Sequence, residues 1–244
     1  MLTKFLSYEE TVWCEAYLQG KDALSLFVHL KGSCQFVRRS VLESVNGFDE
    51  GMLAEDMDLS ARFAEQGYKI RYASDVRSWQ ESPSDLKHLI SQRTRWYRGT
   101  MEVALRYGRL MAKLSRKNLD AEATLFGPFV LIASLLTYFG AFYTFFLPFP
   151  AGGLWQFITE FATLGTTVTI LLGGLGLIYA SKPKRLKSLL WLPFIYFYWS
   201  SQALIASYAM LLILLRRPRK WVKTEKKGVV TGSKANSARG AKYF

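Results

Sequence analysis

The sequence predicts an α/β domain over residues 1–118, an all-α transmembrane region over 119–215 and a basic tail over 216–244. Three observations carry that division. Charge is confined: from Thr124 to Leu215 the only charged residues are Glu160, Lys182, Lys184, Arg185 and Lys187. The uncharged runs between them are long enough to cross a bilayer. The first half, in contrast, has the charge of a soluble domain and alternates short apolar runs with amphipathic stretches, the mark of strands interleaved with helices.

Taken in order, residues 1–20 place Phe5, Tyr8, Val12 and Glu15 at helical spacing beside Leu6, Trp13 and Tyr17, with Gly20 as the stop. Leu24 to Leu30 is a short apolar run that suits a buried strand, broken by Gly32-Ser33; Cys34 to Val37 suits a second. Ser40 to Val45 reads as a short helix closed by the turn Asn46-Gly47. From Glu55 to Gln66, Met57, Ala61 and Ala64 share a face with Leu59 and Phe63 beside it, and Gly67 ends that helix. Lys69 to Ala73 alternates like a strand. Ser84 is the expected cap of a helix running through Gly99.

Three spans are expected, at about 124–147, 161–181 and 188–215. The first, of 24 uncharged residues, reaches roughly 36 Å as a helix, against about 30 Å of hydrocarbon. Lys182, Lys184, Arg185 and Lys187 mark their loop as cytoplasmic, and 148–160 has no Lys or Arg. A single third crossing would then leave Arg216 to Lys227 outside, against the positive-inside rule. Pro193 and Ser200-Ser201-Gln202 offer a way to break 188–215 into a re-entrant or paired segment instead. No Asp, Lys, Arg or His lies within the spans and Glu160 only edges one, which argues against an ion-coupled transporter.

The net charge of +13 is uneven: ten basic residues follow Leu215 against one acidic residue, Glu225. Next to an apolar span this implies a cytoplasmic flank facing anionic lipid, and no motif for nucleic acid accompanies it. Cys14 and Cys34 define neither a metal site nor a disulfide framework. Met1 to Leu18 holds Glu9, Glu10 and Glu15 and has no long apolar core, so it is no secretory signal. His29, in an apolar run, reads as a satisfied buried histidine; His88 lies four residues before Gln92.

Two motifs stand out. One is Ala54-Glu55-Asp56-Met57-Asp58-Leu59; the other is Gln92-Arg93-Thr94-Arg95-Trp96 followed by Gly99. Alone, the first fits a helix start favoured by the dipole, and the second an interfacial helix face. Their order, about 36 residues apart and ahead of apolar spans, is what makes the pair specific.

With Gly32-Ser33, Phe36, Arg38-Arg39, Gly47-Phe48-Asp49, Gly67-Tyr68 and Pro83, these motifs make 32–99 resemble the second half of the catalytic domain of family-2 inverting glycosyltransferases of the GT-A fold. The resemblance is to the membrane-bound branch of cellulose, chitin, hyaluronan and poly-N-acetylglucosamine synthases. Arg217-Pro218-Arg219, Trp221 and Lys223-Thr224 look, more loosely, like that branch's cytosolic tails.

The resemblance implies that 1–118 is a partial, acceptor-side glycosyltransferase domain with interface helices. It implies sugar transfer from a nucleotide-sugar, a UDP-sugar above all, to a growing polysaccharide. A lipid acceptor, or a catalytically silent membrane subunit of a synthase, is the alternative. Asp56 takes the role of base and Glu55 supports the site. Arg95 neutralises the departing diphosphate with Gln92 beside it, Trp96 offers a face to an acceptor sugar, and Gly32 and Ser33 bring backbone close to substrate. Asp58 holds the helix start. The family has Thr where Ala54 stands.

Mg²⁺ or Mn²⁺ is expected for the family, but its ligands are not expected in this chain: Asp56-x-Asp58 opens a helix instead of ending a strand. The family's first half, with the nucleotide-binding unit and its own Asp-x-Asp, has no counterpart before Gly32. The chain is thus expected to be a piece of a longer enzyme, a subunit whose other half is a separate chain, or inactive. Its partners are membrane lipid, nucleotide-sugar, glycan acceptor and that missing half, with no nucleic acid. Its place is the cell membrane, with the soluble part facing the cytoplasm.

Overall fold

A computed structural model describes residues 2–76, 78, 80–83, 85–108, 114–146, 153–180, 190 and 192–221. Its elements are α1 (Leu2–Val12), a π-helical stretch (Trp13–Leu18), α2 (Gln19–Ala23), α3 (Arg39–Ser44), α4 (Glu55–Glu65), α5 (Leu86–Tyr107), α6 (Arg116–Leu125), α7 (Gly127–Phe146), α8 (Leu154–Ala180) and α9 (Leu192–Leu214).

The helices expected around 40–45, 55–66 and from 84 onward are present as α3, α4 and α5. Asn46 and Gly47 adopt φ of 61° and 72° and Gly67 φ of 83°, so the turns fall where the sequence places them. Ser84 lies outside the described residues, and Asp85 caps α5 by accepting from the His88 amide at 2.9 Å. The first helix does not stop at Gly20. It runs on to Ala23 because Lys21, buried, reaches Asp120 at 2.9 Å and Thr124 at 2.6 Å and so ties the extra turn to α6.

No strand occurs among the described residues, so the strands expected at 24–30, 34–37 and 69–73 are not formed here and the α/β pattern is not seen in this part of the chain. A strand exists through ladder partners, and here side chains take their place. The Phe27 amide donates to Asp120 at 2.9 Å and the Leu30 amide to Ser60 at 2.8 Å. Residues 26–31 are therefore an extended segment held between helices, with Phe27 and Leu30 buried in two apolar clusters.

The first cluster joins Phe27 and Met52 to α4, α5 and α6 through Ala61, Ala64, Val103, Ala104, Ala121 and Leu125. The second packs Leu30, Val45, Leu59 and Phe63 under α3. A third joins Leu6, Leu89 and Tyr198, where α1, α5 and α9 meet.

Between α6 and α7 the chain bends by 53°. Among the described residues, Pro193–Leu214 is the one helix long and apolar enough to cross a membrane by itself, and the bent α6–α7 pair is a second if taken as one span. Among the described residues of 188–215 the helix does not break at Pro193 or at Ser200-Ser201-Gln202: α9 is continuous from Leu192 to Leu214. Pro193 falls in its first turn, where a missing amide costs no hydrogen bond.

Candidate active site

Asp56 sits in the first turn of α4, where the helix dipole favours a carboxylate. Its Oδ1 accepts from the Met57 amide at 2.8 Å. Its carbonyl accepts from Ser60 Oγ at 2.6 Å, and Ser60 in turn receives the Leu30 amide, so the extended segment is pinned to the acid's own helix. That segment leads into Gly32, at φ +71°, whose Cβ position lies 3.2 Å from Asp56 Oδ2. A side chain at Gly32 would crowd the carboxylate; its absence leaves Oδ2 beside the exposed turn Gly32-Ser33.

Burial raises the proton affinity of Asp56 above the ordinary aspartate range. The Met57 hydrogen bond opposes the rise, Glu55 adds to it and Arg95 opposes it again. Asp58 plays a different part. It is fully buried, receives Arg62 Nε at 2.9 Å and lies 3.5 Å from Arg106. With one carboxylate consumed by two arginines and the other turned to Gly32, Asp56-x-Asp58 does not fit a divalent metal. Among the described residues no group of three His, Cys, Asp or Glu comes together to do so.

Gln92, Arg95 and Trp96 share α5 at spacings of three and four, so they lie on neighbouring parts of one face. Gly99 brings that helix to the acid. A Cβ there would stand 2.6 Å from Ala54 Cβ and 2.9 Å from Ala54 N, so α5 touches the residue that precedes Glu55-Asp56. Ala54 occupies the N-cap of α4 and gives no side-chain cap, the bond that a Thr would have supplied. Arg95 donates to the Leu53 carbonyl at 3.4 Å, and Glu55 and Asp56 act on it electrostatically. Arg95 Nε is buried without a hydrogen-bond partner among the described residues. Trp96 is 38% exposed; the Arg93 guanidinium lies 4.6 Å from its ring centroid.

Four residues to which sequence reasoning assigned no role in the site hold this arrangement: Glu9, Tyr198, Arg219 and Trp221. Glu9 pairs with Arg93 and accepts from Tyr198 at 3.1 Å, fastening α1 and α9 to the motif helix. Arg219 contacts Glu102 at 2.9 Å and the Gly51 carbonyl at 2.9 Å, and the Trp221 ring lies 5.7 Å from the Arg95 guanidinium. A charged residue inside an apolar helix was the available signal for Glu9, and resemblance of the tail for Arg219 and Trp221.

His29 is buried as expected but only half satisfied: Nδ1 pairs with the Leu30 carbonyl at 2.8 Å while Nε2 has no partner among the described residues. Burial lowers its pKa to about 4. His88 Nδ1 pairs with Asp85 at 2.6 Å, within the helix cap.

The sequence profile described as "Glycosyl transferase family group 2" matches residues 2–216. The chain is 32% identical over 119 residues to "Probable glycosyltransferase YdaM" of Bacillus subtilis, covering 49% of this chain and 28% of that protein. It is 25% identical over 233 residues to "Glucomannan 4-beta-mannosyltransferase 7" of Arabidopsis thaliana, covering 91% and 39%. It is 32% identical over 77 residues to "Poly-beta-1,6-N-acetyl-D-glucosamine synthase" of Staphylococcus aureus, covering 32% and 19%. The chain thus spans well under half the length of each of these curated relatives. No solved structure matches it.

Proposed function

The chain belongs to glycosyl transferase family group 2, and on that premise we propose that it supplies the acceptor side of a membrane-bound enzyme. This enzyme transfers a sugar from a nucleotide-sugar, a UDP-sugar above all, to a growing polysaccharide with inversion. The observation that carries the reading is the Asp56 carboxylate: half-buried, raised in proton affinity, opened to a glycine turn and within the field of Arg95. Two relatives named for glucomannan and poly-N-acetylglucosamine support a glycan acceptor.

In this reading the acceptor hydroxyl donates to Asp56 Oδ2, since Oδ1 is occupied by the Met57 amide. As the acceptor oxygen bonds to the anomeric carbon, the bond from that carbon to the nucleotide diphosphate breaks on the opposite face and the hydroxyl proton ends on Asp56. Arg95 and Gln92 offset the charge that develops on the diphosphate. Trp96 presents its open ring face to an acceptor sugar. The family's divalent metal would assist the same leaving group, but the residues described here do not fit it, so no step runs through it. The nucleotide is held by a donor-binding half, continuous with this chain or on another one.

The large exposed side chains of α7 and α8, among them Phe139, Phe142, Phe145, Phe157, Phe161, Leu164, Leu171 and Leu175, support membrane insertion of that hairpin. We read α9 as lying along α5 without a simple crossing. Its Tyr198 bonds Glu9 of α1, and past its other end the carbonyls of Arg217 and Pro218 accept from Arg98 at 2.6 and 3.2 Å. Both ends then lie on the domain side, and the basic segment 182–187 and the basic tail both face the cytoplasm, which removes the conflict with the positive-inside rule.

The test supplies UDP-sugars to membranes carrying this chain with its donor-binding half. Labelled polymer whose new bonds have inverted anomeric configuration is expected. No incorporation from any UDP-sugar, or retained configuration, contradicts the assignment.

A further inference from the structure

A cavity of about 480 Å³ opens between α5 and the end of α9, on a stripe of α5 formed by Lys87, Ile90, Ser91, Thr94, Arg95 and Arg98. The opposite wall is Tyr208 and Leu212 of α9 with Arg217, Pro218 and Lys220 after it, and Leu53 closes the side toward Asp56. Five lining residues are cationic and none is a carboxylate; of the five, Arg98 is matched by Glu102 at 3.0 Å. Thr94 is 9% exposed and its Oγ1 is buried without a hydrogen-bond partner among the described residues, as is Arg95 Nε. Buried donors are rarely left unmade, and Thr94 Oγ1 on the wall of a cationic cavity calls for an acceptor from outside the described residues.

We propose that this cavity binds the phosphate headgroup of an anionic membrane lipid. The phosphate lies among Lys87, Thr94 and Lys220, leaving Arg95 to the donor diphosphate, and the acyl chains follow the apolar surface of Ile90, Tyr208 and Leu212. A free phosphate or diphosphate shares the headgroup's charge, but would leave that apolar wall uncovered. The exposed Leu211, Leu214 and Leu215 continue the apolar surface at the same end of α9. The inference rests on the reading that α9 lies against a bilayer. With Cys14 and Cys34 replaced by Ser, quenching by brominated lipid of a fluorophore attached at Leu214→Cys tests that separately, so the two can fail independently.

The full chain is reconstituted in phosphatidylcholine vesicles doped with roughly a tenth of phosphatidylglycerol, re-extracted in mild detergent, and its retained lipid is measured by mass spectrometry. Phosphatidylglycerol is expected to be enriched over its bulk ratio. Lys87→Gln with Lys220→Gln, both at exposed positions, is expected to reduce that enrichment about tenfold, as loss of two interfacial cations predicts. Thr94→Val, a change of similar volume, reduces it less, and millimolar pyrophosphate leaves it unchanged. Retention at the bulk ratio, enrichment indifferent to the double substitution, or displacement by pyrophosphate overturns the proposal; the last would assign the cavity to a soluble phosphate.

Discussion

Helices α5 and α9 have 22 and 23 residues and pack against each other, yet different forces place them. α5 is fixed by directional contacts to other segments: Arg93 to Glu9, Glu102 to Arg219, and Arg106 to Asp49 at 2.6 Å. α9 contains no Asp, Glu, Lys or Arg. It approaches α5 through Ala203, Ala206 and Ala209, all fully buried, and through the polar contact of Gln202 with Tyr97 at 3.3 Å, while Tyr198 holds it to Glu9 of α1. A helix that carries chemistry needs its side chains held in orientation. A helix that anchors needs only close, apolar contact. In the proposed reading α5 shows its role through residue types, while α9 shows only the apolar character of its surface.

The largest effect that could break this contrast is one of sidedness. With Cys14 and Cys34 replaced by Ser, a cysteine placed by Ala151→Cys should react with an impermeant thiol reagent from outside intact cells. One placed by Ser233→Cys should react only after the membrane is opened. Outside labelling of position 233 would mean that α9 crosses the bilayer and the anchoring geometry is wrong.

Next in size is Gly99→Leu. Its side chain has no room against Ala54, so a loss of about 3 kcal/mol in thermal unfolding is expected, together with loss of transfer. Ala206→Leu on the facing helix should cost about 2 kcal/mol, because α9 can slide where α5 is tethered. Equal costs at the two positions would erase the distinction between them. The smallest effect is Tyr198→Phe, which removes one hydrogen bond to Glu9 and should lower stability by about 1 kcal/mol while α9 stays in place.

The same contrast explains what the sequence could reveal. α4 and α5 were legible because their caps, periodicity and stop signals are local: Glu55 starts the one, Gly67 follows it, and Leu89, Met101, Val103 and Ala104 line the buried side of the other. Asp56, Arg95 and Trp96 were legible as motif members, and separate parts for Asp56 and Asp58 were expected from the family resemblance. The absence of strands among the described residues was not legible. An apolar run such as 26–30 says nothing about whether its amides meet another strand or, as here, Asp120 and Ser60. The Arg98 contacts to the carbonyls of Arg217 and Pro218 join residues 119 and 120 positions apart, a separation at which no periodicity speaks.

The central claim is that Asp56 is the base. The most direct measurement is the rate of sugar incorporation by the assembled enzyme across pH, with Asp56 and with Asp56→Asn. A base with raised proton affinity loses activity as pH falls through its folded value, so the acid limb should lie above the ordinary aspartate value of 3.8. The substitution should lower the rate on the order of a thousandfold above the acid limb and remove that limb. An Asp56→Asn enzyme within about tenfold of the parent, with the same acid limb, would contradict the account.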